Sequence, residues 1–95
     1  MAKRNITELR QAFETLDKEL LAILAKRKLL SEEMGQLKAE AHISTLQPAV
    51  WQQHLENRLQ ENAVFQLDVV FLQKIFNLIH EESLKIQNQI LADNK

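Results

Sequence analysis

The sequence contains no cysteine and no tyrosine, and only one glycine, one proline and one tryptophan in 95 residues. Without cysteine there is no disulfide, no thiolate nucleophile and no zinc–thiolate site. A β-sandwich or barrel needs a turn roughly every 8–12 residues, and a single glycine and a single proline cannot supply them. The net charge of −1 provides no electrostatic basis for binding nucleic acid or an anionic membrane. No N-terminal apolar run is long enough for a signal peptide or a membrane span, so the cytoplasm is the expected location.

What is present is an ordinary soluble mixture, 45% hydrophobic and 26% charged. The length suits one domain, over 1–95, and a chain this short buries little of its surface alone, so a partner subunit is expected. Only Ile43 to Pro48 and Asn62 to Asp68 read as breaks. The predicted fold is all-α, with one long helix at about 5–40, a short one at 48–61 and a medium one at 68–92.

Asn5 followed three residues later by Glu8 has the spacing of a capping box. Beyond it, Leu9, Phe13, Leu16, Leu20, Ile23, Leu30, Met34, Leu37 and Ala41 step alternately by four and three, the pattern of a heptad seam. One seam position is polar, and it is Arg27. A helix of this length is roughly 50 Å long at 1.5 Å per residue, more than the remaining residues can cover. Its simplest cover is its own copy, which predicts a homodimer. Gly35 lies inside the helix, where it costs about 1 kcal/mol relative to alanine, so a close backbone or ligand is expected there. Pro48 suits the first turn of the second helix, with Val50, Leu55 and Leu59 inward. Asp68 is the expected cap of the third, with Leu72, Phe76, Ile79, Ile86 and Ile90 on one stripe.

Arg27 and Lys38 are three turns apart and share a face. Arg10 lies about 25 Å from Arg27 along the axis, too far to share a site on one straight helix. Across an antiparallel pair of helices the two could meet. Ser83 falls on the third helix's stripe, and Gln87 is one turn beyond it. Cations inside a bundle call for a small polyanion, because burial without a partner is costly. Each residue also has a plainer role. Arg27 could snorkel or pair with a glutamate, Lys38 suits a helix C-terminus, Ser83 could bond its own helix, and Gln87 could be exposed. His42, His54 and His80 lack metal-ligand spacing and read as surface or helix-end residues, and Trp51 reads as packing.

Together these residues carry a resemblance. The run Leu9-Arg10, then Leu16-Asp17-Lys18-Glu19-Leu20-Leu21-Ala22-Ile23-Leu24-Ala25-Lys26-Arg27, resembles the opening of the all-helical chorismate mutases. It is most similar to the mutase domain at the N-terminus of bifunctional mutase–prephenate dehydratases. The likeness resumes at Gly35-Gln36-Leu37-Lys38, and again through Leu67-Asp68, Phe71-Leu72, Ile75-Phe76, Ile79, Glu82-Ser83 and Gln87. It implies an intertwined, helix-swapped homodimer that converts chorismate to prephenate in aromatic amino-acid biosynthesis, without metal or cofactor. It also implies that Arg27 and the other protomer's Arg10 hold the two carboxylates. Lys38 and Gln87 would bond the ether oxygen, and Ser83 would line the ring end.

One stretch departs from the resemblance. Where the family usually reads Asp-x-x-Arg-Glu at the start of the second helix, this chain aligns Gln47, Val50 and Trp51 as a pocket wall. The glutamate ordinarily meets the C4 hydroxyl, and tryptophan cannot accept a hydrogen bond. Alternatives of the same fold are an isochorismate-pyruvate lyase, which also lacks the acidic contact, and a 4-amino-4-deoxychorismate mutase. A third is a non-catalytic or designed helical dimer that keeps only the scaffold.

Overall fold

Asn5 opens the first helix by accepting the Glu8 backbone N–H on its side-chain oxygen at 2.8 Å. In this computed structural model, which describes residues 3–94, three helices follow one another: α1 (Ile6–Ala41), α2 (Pro48–Phe65) and α3 (Val69–Asp93). α1 stops at His42, which adopts the left-handed conformation (φ 56°) and donates its backbone N–H to Ala39. Pro48 occupies the first turn of α2, and the Asp68 carboxylate caps α3 by accepting from the Phe71 N–H at 2.9 Å.

The predicted end of the second helix, residue 61, is corrected: α2 continues one turn further, to Phe65. Asn62 reads as a breaker in sequence, but here it stays helical and ties the following turn. Its side chain donates to the Leu67 carbonyl at 2.8 Å and accepts from the Leu67 N–H at 2.9 Å. These bonds satisfy the turn around Gln66, which is left-handed (φ 56°). Val50 is also corrected as an inward position, because it is 62% exposed, whereas Leu55 and Leu59 are half-buried.

α3 runs parallel to the C-terminal half of α1, with Ser83 opposite Ser31 and Gln87 opposite Gly35. α2 returns between them in sequence and packs against α3 rather than α1. At Gly35 the two long helices approach closely. A Cβ there would lie 2.9 Å from the Gln87 Cα and 3.2 Å from the Ile90 Cβ. The expected close approach is therefore that of the α3 backbone. Gly35→Ala would gain helix propensity of about 1 kcal/mol, yet overpacking against a backbone atom costs about 1–3 kcal/mol. The clash should win, lowering the denaturant midpoint at fixed protein concentration. A midpoint that rises would show that the helices separate freely.

The rest of α1 extends beyond its neighbours. The molecule measures 60 × 26 × 15 Å, with a radius of gyration of 17.4 Å. A compact chain of this length would have about 12 Å. Leu72 is the one apolar core side chain that is buried among the described residues. Phe13, at 65% exposure, and Leu37, at 62%, typify the α1 seam, whose apolar members from Leu9 to Leu37 are all exposed.

Candidate functional site

Between the C-terminal half of α1, the start of α2 and the middle of α3 lies a cavity of about 180 Å³. α1 contributes Arg27 and Lys38 to it, and α3 contributes Ser83 and Gln87. Gln47, Val50 and Trp51 line its other side. All the sequence-selected residues but one therefore border a single space. The exception is Arg10, which is exposed near the far end of α1. Among the described residues no group of three His, Cys, Asp or Glu side chains gathers to hold a metal ion.

A chain of hydrogen bonds organises the polar wall. The Lys38 ammonium donates to the Thr45 carbonyl at 2.7 Å and to Gln87 Oε1 at 2.9 Å. Lysine has donors only, so this contact fixes which end of the Gln87 amide faces it. Gln87 Nε2 then donates to Ser83 Oγ at 3.0 Å, and Ser83 Oγ shares a hydrogen bond with Ser31 Oγ at 2.7 Å. Lysine has three N–H donors and the glutamine amide two. Each group thus keeps one donor beyond these contacts, on side chains held together by a 2.9 Å bond. Burial holds the Lys38 ammonium below its ordinary pKa. A negative charge placed against it would oppose that shift.

Arg27 is the other signal. Its Nε is buried and has no hydrogen-bond partner, and Arg27 forms no ion pair among the described residues. The glutamate pairing is thus not made in this arrangement. Arg27 makes no side-chain hydrogen bond among the described residues, so its terminal nitrogens are free to meet an anion in the cavity.

The histidines divide. His42 caps α1, as expected of a helix-end residue, but the surface reading of His54 and His80 is corrected. Both are half-buried and border the cavity. The Trp51 indole stacks on His80 with ring centres 3.9 Å apart and planes 4° from parallel, and His54 lies 5.8 Å from Trp51 on its own helix. Phe76 meets His54 edge-on at 6.4 Å. The cause is cross-helix pairing: α2 and α3 bring Trp51 onto His80 and Phe76 against His54, pairs that no spacing along the chain connects.

A family model, Chorismate mutase type II, matches residues 9–88, a span that includes every candidate residue from Arg10 to Gln87. The chain belongs to this family. Among its relatives are the bifunctional chorismate mutase/prephenate dehydratases of Enterobacter agglomerans and Escherichia coli (strain K12), each 31% identical over 86 residues. That alignment takes in 90% of this chain but 22% of each relative, so the chain spans about a fifth of their length. Membership of the type II chorismate mutases assigns the chain at family level to isomerases. No helix of the described residues is long and apolar enough to cross a membrane.

Sequence reasoning passes over Ser31, Thr45, His54 and His80 in and around this cavity. Two of them carry a readable signal. Ser31 is four residues after Arg27 and seven before Lys38, on the same face of α1. His80 precedes Ser83 by three and Gln87 by seven, on the same face of α3. Thr45 acts through its backbone carbonyl, which no sequence pattern reveals.

Proposed function

We propose that this chain is a chorismate mutase whose site is the cavity between α1, α2 and α3, completed by a second protomer. The observation that carries the reading is the Lys38–Gln87 pair, two bonded side chains with one further donor each. The rearrangement of chorismate breaks an ether C–O bond and forms a C–C bond within one molecule. No nucleophile, base or cofactor takes part. What the protein must supply is a compact conformer and stabilisation of the negative charge that grows on the ether oxygen. Lys38 and Gln87 can converge on that oxygen, Arg27 answers one carboxylate, and Ser83 lines the ring end.

The second carboxylate needs another cation, and here the dimer enters. The apolar seam of α1 is exposed from Leu9 to Leu37. An apolar groove of about 410 Å³, running from Leu24 and Ala25 to Leu78 and Ile86, lies beside Arg27. Burying each half-exposed leucine or phenylalanine contributes about 1 kcal/mol or more. A copy of α1 laid antiparallel on this seam would cover it and bring its Arg10 towards Arg27.

One observation favours a second reading. Among the described residues no carboxylate lines the cavity, and Trp51 stands where the family usually has an acid. An isochorismate-pyruvate lyase would share that feature. Incubation with chorismate and with isochorismate, followed by ultraviolet absorbance, separates the two. Loss of chorismate with formation of prephenate is the expected result. Decay of isochorismate alone would establish the lyase, and decay of neither would remove both.

A further inference from the structure

The wall built by Trp51 and His80 has a consequence for which ring the site accepts. His80, Ser83 and Gln87 form one stripe on α3, so the His80 imidazole borders the cavity one turn before the serine. The indole lies flat on it at 3.9 Å, which fixes the plane of the imidazole and limits its rotation. One face of the imidazole is taken up by the indole, and its polar atoms are on its edge. Neither His80 nor His54 makes a side-chain hydrogen bond to another described residue.

The charge state follows from the surroundings. Desolvation, then His54, then Lys38 hold His80 below the ordinary histidine pKa, against a smaller opposing pull from Glu81. Desolvation, then Arg58 and Arg27 do the same to His54, opposed by Glu61. Both imidazoles are therefore neutral at pH 7, each with one donor and one acceptor. The charged groups that border the cavity are Arg27 and Lys38, both cations. A ring hydroxyl can pair with a neutral imidazole in either direction. A ring ammonium would enter a cavity bordered by two cations and no carboxylate, which disfavours it.

We propose that His80, clamped by Trp51, is a specificity-determining residue that meets the ring hydroxyl of the dianionic substrate, and that this wall selects a hydroxylated ring over an aminated one. The assignment rests on the mutase reading above. It replaces the acid of the family pattern with a neutral group on a different helix. Trp51 is then a positioning residue, acting through the imidazole it stacks on.

The test uses the wild type with His80→Phe, which keeps a ring for Trp51 but loses both nitrogens, and His80→Asn, which keeps a donor and an acceptor. One neutral hydrogen bond corresponds to about a five- to tenfold rise in KM for chorismate in His80→Phe, with kcat changed less than about twofold. His80→Asn should recover most of that loss. On a chorismate analogue lacking the ring hydroxyl the His80→Phe penalty should vanish, and the wild type should bind the 4-amino analogue more weakly than chorismate. An equal penalty on both rings, or a wild-type KM in His80→Phe, overturns the assignment. Should His80→Phe fail to fold, the wild type still decides, because binding the hydroxyl-free analogue as tightly as chorismate overturns it too. Wild type that neither binds nor converts chorismate removes the mutase reading, and the assignment with it. Conversion that is indifferent to His80 removes the assignment alone.

Discussion

Replacing Arg27 with methionine or Lys38 with alanine should each lower kcat/KM for chorismate by about 100- to 1000-fold, the loss typical of a charged donor aimed at transition-state charge. The two should differ in kind. In the proposed site Lys38 would face the oxygen on which charge grows, so its loss should fall mainly on kcat. Arg27 would answer a carboxylate that is charged throughout, so its loss should raise KM as well. Their effects on stability should have opposite signs. Lys38 ties the α1–α2 loop through the Thr45 carbonyl and donates to Gln87 Oε1, so Lys38→Ala leaves a buried acceptor unpaired. Arg27 has a buried Nε with no partner, so Arg27→Met removes an uncompensated cost of about 1–3 kcal/mol. Thermal melts at one protein concentration should place Lys38→Ala below the wild type and Arg27→Met at or above it. Activity above about a tenth of wild type in both variants would put the chemistry elsewhere, since no group aimed at developing charge is so dispensable.

Arg27 stands out in the sequence because a heptad seam makes one polar member conspicuous, and the spacing from Arg27 to Lys38 places both on one face. The caps are equally legible, because Asn5 and Asp68 act on backbone groups within three residues of themselves. Gly35 signals a close approach, although nothing in the sequence says that the backbone of α3 makes it. What is not legible is whatever depends on register between helices. The stack of Trp51 on His80 needs α2 and α3 placed side by side at one particular offset, and periodicity along either helix leaves that offset open. The end of α2 escapes a sequence reading for a related reason. Asn62 has a side chain suited both to breaking a helix and to bracing the turn after it, and only the bonds to Leu67 decide. Histidines without metal spacing look inert in sequence, because spacing of that kind speaks to one chemistry only.

The proposed division of the site between two protomers leads to the other large effect. Arg10→Ala and Arg27→Ala should each be nearly inactive alone, yet a mixture of the two should regain activity. In a two-fold dimer each site would take Arg27 from one protomer and Arg10 from its partner, so a mixed dimer has one intact site and one site with both lesions. Random exchange makes half the dimers mixed, and activity should reach about a quarter of the wild-type value. Such a dimer should exchange slowly. The apolar seam from Leu9 to Leu37 is exposed, and separated protomers would be left with Leu72 as their one buried apolar side chain among the described residues. Mixing should therefore be done by co-refolding, with mixed dimers confirmed by tags on the two variants. The melting temperature should also rise with protein concentration, because in the proposed dimer association and folding would be one equilibrium. Co-refolded mixed dimers that stay inactive would mean that Arg10 does not reach the partner's cavity. A well-folded monomer at micromolar concentration would dispose of the shared site altogether, and the second carboxylate would then have to be met by Lys38 or by no cation at all.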